Sequence, residues 1–203
     1  MGACAMAQAQ SSLPPVWQND SSNEVQYSTR TIAYIPPTRI VWQETTGNSS
    51  IEGIDKLLST GNGQAELVGG KECVIRKRPD GKVSFLLDFG RELQGGIQIV
   101  TGQSSRKEVK VRIRFGESVS EAMCDITPEN GATNDHAIRD FHFTLPWLGV
   151  AEIGNSGFRF VRIDVEEPDI DLLLKEVRAT FGYRDIPYLG SFKSDNDRLN
   201  TFG

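Results

Sequence analysis

Apolar residues recur at every second position along most of the chain from Cys73 onward, and that period decides what the chain can fold into. Phe85, Leu87 and Phe89 share one parity. Val109, Val111, Ile113 and Phe115 alternate with Lys110, Arg112 and Arg114. Phe141, Phe143 and Leu145 alternate with His142 and Thr144, and Val177, Ala179, Phe181 and Tyr183 form the last such run. A period of two is that of a strand with one buried face, and helical periodicity is nearly absent. Leu172-Leu173-Leu174 reads as a short strand or edge before the last run. In Phe158–Val165 the apolar parity switches between Phe160 and Val161, which predicts a bulge or a twisted strand. Turns fall at Asp88-Phe89-Gly90 and Gly95-Gly96, and the chain's 20 glycines and 9 prolines suit many short connections. The expectation is an all-β fold: an antiparallel, jelly-roll-like β-sandwich.

Upstream, Leu13–Thr31 mixes Pro, Ser, Asn and Gln with little periodicity and reads as extended. Ile35-Pro36-Pro37 forces extended backbone, Ile40-Val41-Trp42 is a short strand, and Gly53–Leu58 is a helical turn. Gly61-Asn62-Gly63 is a turn that lacks the third glycine of a dinucleotide loop, so no phosphate site is read there. The expected divisions are 1–12, 13–50 (an extended N-terminal segment), 51–186 (the sandwich) and 187–203. In the first of these, Ala5-Met6-Ala7 and Ala7-Gln8-Ala9 fit the cleavage pattern of an export signal whose basic and apolar parts are missing. That predicts an exported protein, periplasmic or extracellular. A lipoprotein start at Gly2-Ala3-Cys4 and an Ala/Gln tail without an address are the alternatives. In the last division, Ser194-Asp195-Asn196-Asp197 has the form of a capping box, with Ser194 capping and Asp197 reaching back. The helix it opens is about two turns long at Gly203 and needs something to pack on. It is expected to begin a further, truncated domain.

Composition narrows the function. Lys and Arg number 22 against 27 Asp and Glu, a net charge of −5, which argues against nucleic-acid binding through a basic surface. No run of about 18 apolar residues is present, so no transmembrane segment is expected. A glycosidase needs two carboxylates across a bond. Glu117, Glu121, Asp125, Asp135 and Asp140 are the candidates, but none has a context that raises its pKa, and all read as solvated strand ends or loops. His136 and His142 have no partner at metal-ligand spacing. Cys73 and Cys124 read as free thiols unless their strands meet. The loop Asp125–Arg139 carries the oxygen ligands Asp125, Glu129, Asn130, Asn134 and Asp135. Calcium accepts such groups, but the spacing matches no defined calcium loop, so no metal or other cofactor is expected. Trp147 packs a loop or stacks on a sugar face, and with Asn134, Asp135 and Arg139 it is the best candidate set for carbohydrate contact.

Five segments, in order, resemble the bacterial α-L-rhamnosidases. They are Leu87-Asp88-Phe89-Gly90-Arg91-Glu92-Leu93-Gln94-Gly95-Gly96, then Arg114-Phe115-Gly116-Glu117, then Ala132-Thr133-Asn134-Asp135, then Gly157-Phe158-Arg159-Phe160-Val161-Arg162, and last Gly190-Ser191-Phe192-Lys193-Ser194-Asp195. The resemblance covers Lys82 to Asn200. It implies a sandwich preceding a catalytic α/α-barrel, and inverting hydrolysis of terminal α-L-rhamnosides in plant or bacterial glycans. The acid and base belong to the barrel, whose signature of Asp-Gly, Arg-Asp-Arg and Trp does not occur here. No catalytic residue therefore carries over to this chain, which is expected to be the inactive accessory sandwich, with rhamnose-containing glycans and the downstream barrel as partners. Phe192, Leu199 and Phe202 are expected to face that barrel. An autonomous carbohydrate-binding module and a purely structural sandwich are the rival readings.

Overall fold

Strands account for most of the residues that the computed structural model describes, namely 30–59, 61–67, 72–105, 108–125, 139–184 and 193–200. The strands are β1 (Arg30–Ile35), β2 (Arg39–Thr45), β3 (Ser50–Glu52), β4 (Cys73–Lys77), β5 (Val83–Thr101), β6 (Glu108–Gly116), β7 (Arg139–Pro146), β8 (Gly149–Val165) and β9 (Ile170–Arg184). Every pairing among them is antiparallel.

Two long strands make this one continuous sheet fold back on itself. The first part of β5 pairs with β2 and with the end of β8, and β8 there also pairs with β6, which carries β7. The second part of β5 pairs with the start of β8 and with β9. On its other side β9 holds β4 along its first residues and β1 along its last. The bend falls where the β5–β8 register shifts, between the Asp88–Phe160 and Leu93–Phe158 pairs and again between Gly95–Ser156 and Ile97–Ile153. The expected irregularity near Phe160 is there, and the extra residues are on β5: Phe89 to Glu92 bulge opposite Arg159. Gly90, at φ 81°, supplies the left-handed residue of this bulge.

The face-to-face arrangement shows in the core. Phe85 and Leu87 from one arm of β5, and Ile97 and Ile99 from the other, belong to a single buried cluster. So do Val111 and Ile113 of β6, Ile163 of β8, Leu172 and Val177 of β9, and Ile75 of β4. Burying each such side chain stabilises by about 1.5–3 kcal/mol. At the bend, Phe158 meets Phe89 and Phe115 edge to face at 5.6 and 5.0 Å, and Phe115 meets Phe141 at 5.9 Å.

Several local expectations are refined. Residues 30–35 and 39–45 are sheet strands, so the sandwich begins before residue 51. Their alternation is masked by Pro36-Pro37 and by the β2 register shift between Ile40 and Trp42. The turn at 53–58 is a 3-10 helix, Ile54–Leu58, started by a left-handed Gly53 and buried through Leu57. Leu172–Leu174 is part of β9 itself. A short helix α1 (Val119–Met123) carries a complete capping box between Ser118 and Glu121. The helix α2 (Asp197–Asn200) is capped by Asn196 rather than Ser194: Asn196 Oδ1 accepts from the Arg198 N–H at 3.0 Å, while Ser194 Oγ accepts from the Asn196 N–H at 3.1 Å. Cys73 and Cys124 are both free thiols, and burial pushes the Cys73 pKa up to about 12. No helix of the described residues is long and apolar enough to cross a membrane.

Candidate functional site

Of the residues singled out for sugar contact, the described backbone holds Trp147 and Arg139. Trp147 sits in the turn between β7 and β8, 40% exposed, and its carbonyl accepts from the Ser104 N–H at 3.0 Å. Arg139 opens β7, whose far end is Pro146. At strand rise the two ends of β7 lie about 23 Å apart along the strand. Asn134 and Asp135 lie outside the described residues, as do Glu129, Asn130, His136, Phe192 and Phe202. Leu199 lies in α2. Among the described residues no group of three His, Cys, Asp or Glu could hold a metal ion.

The described acidic candidates are occupied structurally. Glu121 closes the capping box, accepting from the backbone N–H groups of Glu117 and Ser118 at 2.8 and 3.2 Å. Asp140 accepts from Arg112 Nε at 2.8 Å, and Asp125 accepts from Arg114 Nη1 at 2.8 Å. Glu117 meets Glu92 of the β5 bulge over Gly157, where a Cβ would lie 3.2 Å from Glu117 Oε1 and 4.0 Å from Glu92 Oε1. The charge of Glu92, then burial, then Glu121 raise the Glu117 pKa above the ordinary carboxylate value, and the two side chains hydrogen-bond. His142, on the polar face as its parity predicts, bonds Glu166 through Nδ1 at 3.0 Å.

Two networks of arginine and carboxylate hold the bend and the outer face of the β2–β5–β8–β6–β7 layer. At the bend, the Asp88 carboxylate is 3% exposed. It accepts from the Gly90 N–H at 2.7 Å, Arg159 Nε and Nη2 at 2.9 and 3.1 Å, and Arg39 Nη2 at 2.9 Å. Arg159, more than it is opposed by burial, holds the Asp88 pKa below the ordinary carboxylate value, with Gly90 and Arg39 adding to it. On the outer face Asp164 accepts from Ser84, Arg162 and Arg114. Burial is the largest single influence on Asp164 and raises its pKa, but these donors together outweigh it, and the net shift is downward. Arg114, its side chain only 2% exposed, ties Asp164 to Asp125.

A sizeable concavity lies on the opposite layer. It is a cleft of about 540 Å³ between β1, β9, β5 and β8. Its floor is backbone. A Cβ at Gly96 would fall 2.3 Å from the Gly154 carbonyl oxygen, so the two strands approach there as only glycine permits. Tyr34 and Tyr183 stand at its sides, 43% and 38% exposed, beside Ile32. Tyr183 stacks on Phe181 at 5.6 Å, and the Arg178 guanidinium lies 4.1 Å from the Tyr34 ring centroid. Arg178 Nε donates to Gln98 Oε1 at 2.8 Å, and Gln98 Nε2 donates to Glu152 Oε1 at 2.9 Å. The Gly61-Asn62-Gly63 turn lies farther along β9, against Glu176 and Arg178. Its Gly61 and Gly63 N–H groups donate to the Glu176 carboxylate at 3.1 and 2.8 Å. The turn thus cradles an anion, but the anion is Glu176 of the same chain.

Sequence reasoning missed the cleft because its parts come from four strands far apart in the chain. The readable signals were the Gly95-Gly96 pair and the aromatic Tyr183 at the end of the last alternating run.

No family model matches the chain, and no curated protein matches it in sequence. Solved structures do. A rhamnosidase from Klebsiella oxytoca with rhamnose bound aligns over 84% of this chain and 33% of its own, at 14% identity and a TM-score of 0.54. A GH78 family rhamnosidase of Bacillus sp. GL1 aligns over 72% of this chain and 14% of its own, at 19% identity and a TM-score of 0.46. A fucose binding module from Streptococcus pneumoniae aligns over 75% of this chain and 96% of its own, at 11% identity and a TM-score of 0.45. The chain therefore spans about a third of the Klebsiella oxytoca enzyme's length, and what it shares with that enzyme is the fold, a rhamnosidase-like antiparallel β-sandwich.

Proposed function

We propose that this chain is a non-catalytic β-sandwich region of an exported α-L-rhamnosidase-like glycoside hydrolase. The observation that carries the reading is the match of most of this chain to a third of a rhamnosidase. The state of the acids supports it: Asp88, Asp125, Asp140 and Asp164 are all bound to arginines. Such groups fix a scaffold; they do not flank a glycosidic bond. The sandwich braces a catalytic α/α-barrel that follows it, with residues 187–203 as the passage and Phe192, Leu199 and Phe202 facing the barrel. Rhamnose-containing glycans are the substrates of the whole enzyme.

The test is an assay of the purified 203-residue chain on an aryl α-L-rhamnoside. No release of the aryl group is expected. Release that scales with protein concentration would overturn the non-catalytic reading. Autonomous carbohydrate binding is the second reading, and the cleft between β1, β9, β5 and β8 is the observation that favours it.

A further inference from the structure

We propose that the glycine-floored cleft between β1, β9, β5 and β8 is a binding site for a neutral saccharide, with Tyr34 as a platform for one sugar face and Gln94 and Asn155 as the groups that read its hydroxyls. The inference goes beyond the accessory reading, because a chain with or without a barrel would keep this cleft.

Four observations point to that ligand class. First, the shape fits. About 540 Å³ is within the range of small-molecule sites, and the lining mixes aromatic faces with a few polar groups. Second, the platform is held in place before any ligand arrives. The Tyr34 ring rests on Arg178, which is itself fixed by Gln98. Ring faces held this way stack on the C–H face of a sugar with little loss of side-chain freedom. Third, the amide side chains of Gln94 and Asn155 are exposed at the rim and make no hydrogen bond among the described residues. An amide offers both donor and acceptor, as a sugar hydroxyl does, so vicinal hydroxyls can pair with it twice. Fourth, the charge among the described side chains favours a neutral ligand over an acidic one. Among the described side chains no Lys or Arg lines the cleft, Glu152 does, and Arg178 beneath it is engaged by Tyr34, Gln98 and Glu176. Phosphate, sulfate or a uronic acid would meet the Glu152 carboxylate there, which disfavours an anion.

Gly182 makes the proposal testable without damaging the fold. It lines the cleft opposite Ile32 on β1, and a Cβ added there meets nothing within 4 Å. A large side chain at this position enters the cleft rather than the core.

The experiment is calorimetric titration of the full chain with methyl α-L-rhamnoside, methyl α-D-mannoside and methyl β-D-galactoside, with inorganic phosphate and glucuronate as charged probes. Saturable binding is expected for at least one neutral glycoside at millimolar concentration and for neither anion. Gly182→Trp should abolish it while leaving the thermal midpoint within a few degrees of the parent. Tyr34→Ala should weaken it roughly tenfold, the loss of one stacking platform, and Trp147→Ala should leave it unchanged. Should Gly182→Trp not fold, Tyr34→Ala and Gln94→Ala carry the test, and each is expected to weaken binding. Binding of another glycoside but not the rhamnoside supports the cleft as a saccharide site and leaves the accessory reading to the aryl rhamnoside assay. No saturable heat with any of the three glycosides, binding that survives Gly182→Trp, binding lost in Trp147→Ala, or equal binding of phosphate would each overturn the proposal.

Discussion

Asp88 gathers donors from three stretches of chain onto one buried carboxylate: Gly90 beside it, Arg159 across the bend and Arg39 from β2. The Asp-Phe-Gly and Gly-Phe-Arg-Phe-Val segments that carry the resemblance are thus a contact pair, and their chemistry is bracing. Asp88→Asn keeps the shape, removes the charge and should cost about 3 kcal/mol in urea unfolding at neutral pH. The pH dependence has a definite sign. The folded pKa of Asp88 is below its ordinary value of 3.8, so the unfolded chain takes up a proton first as pH falls. Its contribution is complete above about pH 4 and is lost as pH drops through the lower folded value. The urea midpoint should therefore fall steeply below that pH in the parent and less steeply in Asp88→Asn. An equal slope in both would place the acid sensitivity elsewhere. The individual residues of this network were visible in the sequence, but their meeting was not. Parity places a side chain on a face, yet says nothing about which distant strand supplies its partner.

Among the elements, the strands themselves were the most legible part. The alternating runs at 85–89, 109–115, 141–145 and 177–181 lie in strands with the expected parity inward, while Tyr183 at the end of the last run is exposed. What alternation could not show is that β5 and β8 each run through both layers. A bulge resets the period, so one 19-residue strand reads as two short ones with a turn between them. Phe158 sits at that reset, buried and in edge contact with Phe89 and Phe115. Phe158→Ala should cost about 3–5 kcal/mol, the usual range for a buried aromatic in a close-packed site. Denaturant unfolding checks this. A loss below about 1 kcal/mol would mean that the bend is not a packed part of the core.

For the whole molecule, one layer is tied by arginine–carboxylate networks on its outer face, and the other carries an open, weakly charged cleft. The acidic net charge argues against nucleic acid but does not locate this asymmetry. The cleft was the least legible feature, since its floor is made of glycines whose role lies in what they leave empty. Trp147, the most conspicuous exposed aromatic in the sequence, stands apart from it in the β7–β8 turn. The account's central claim is that the molecule recognises a saccharide on a scaffold whose acids are structural. Amide chemical-shift mapping of the full chain titrated with methyl α-L-rhamnoside and the two other glycosides tests it most directly. The predicted result is saturable shifts clustered at residues 94–96, 154–155 and 180–183, with the amides around Asp88, Asp140 and Asp164 unmoved. Shifts centred on those carboxylates or on Trp147, or no shifts with any of the three sugars, would contradict it.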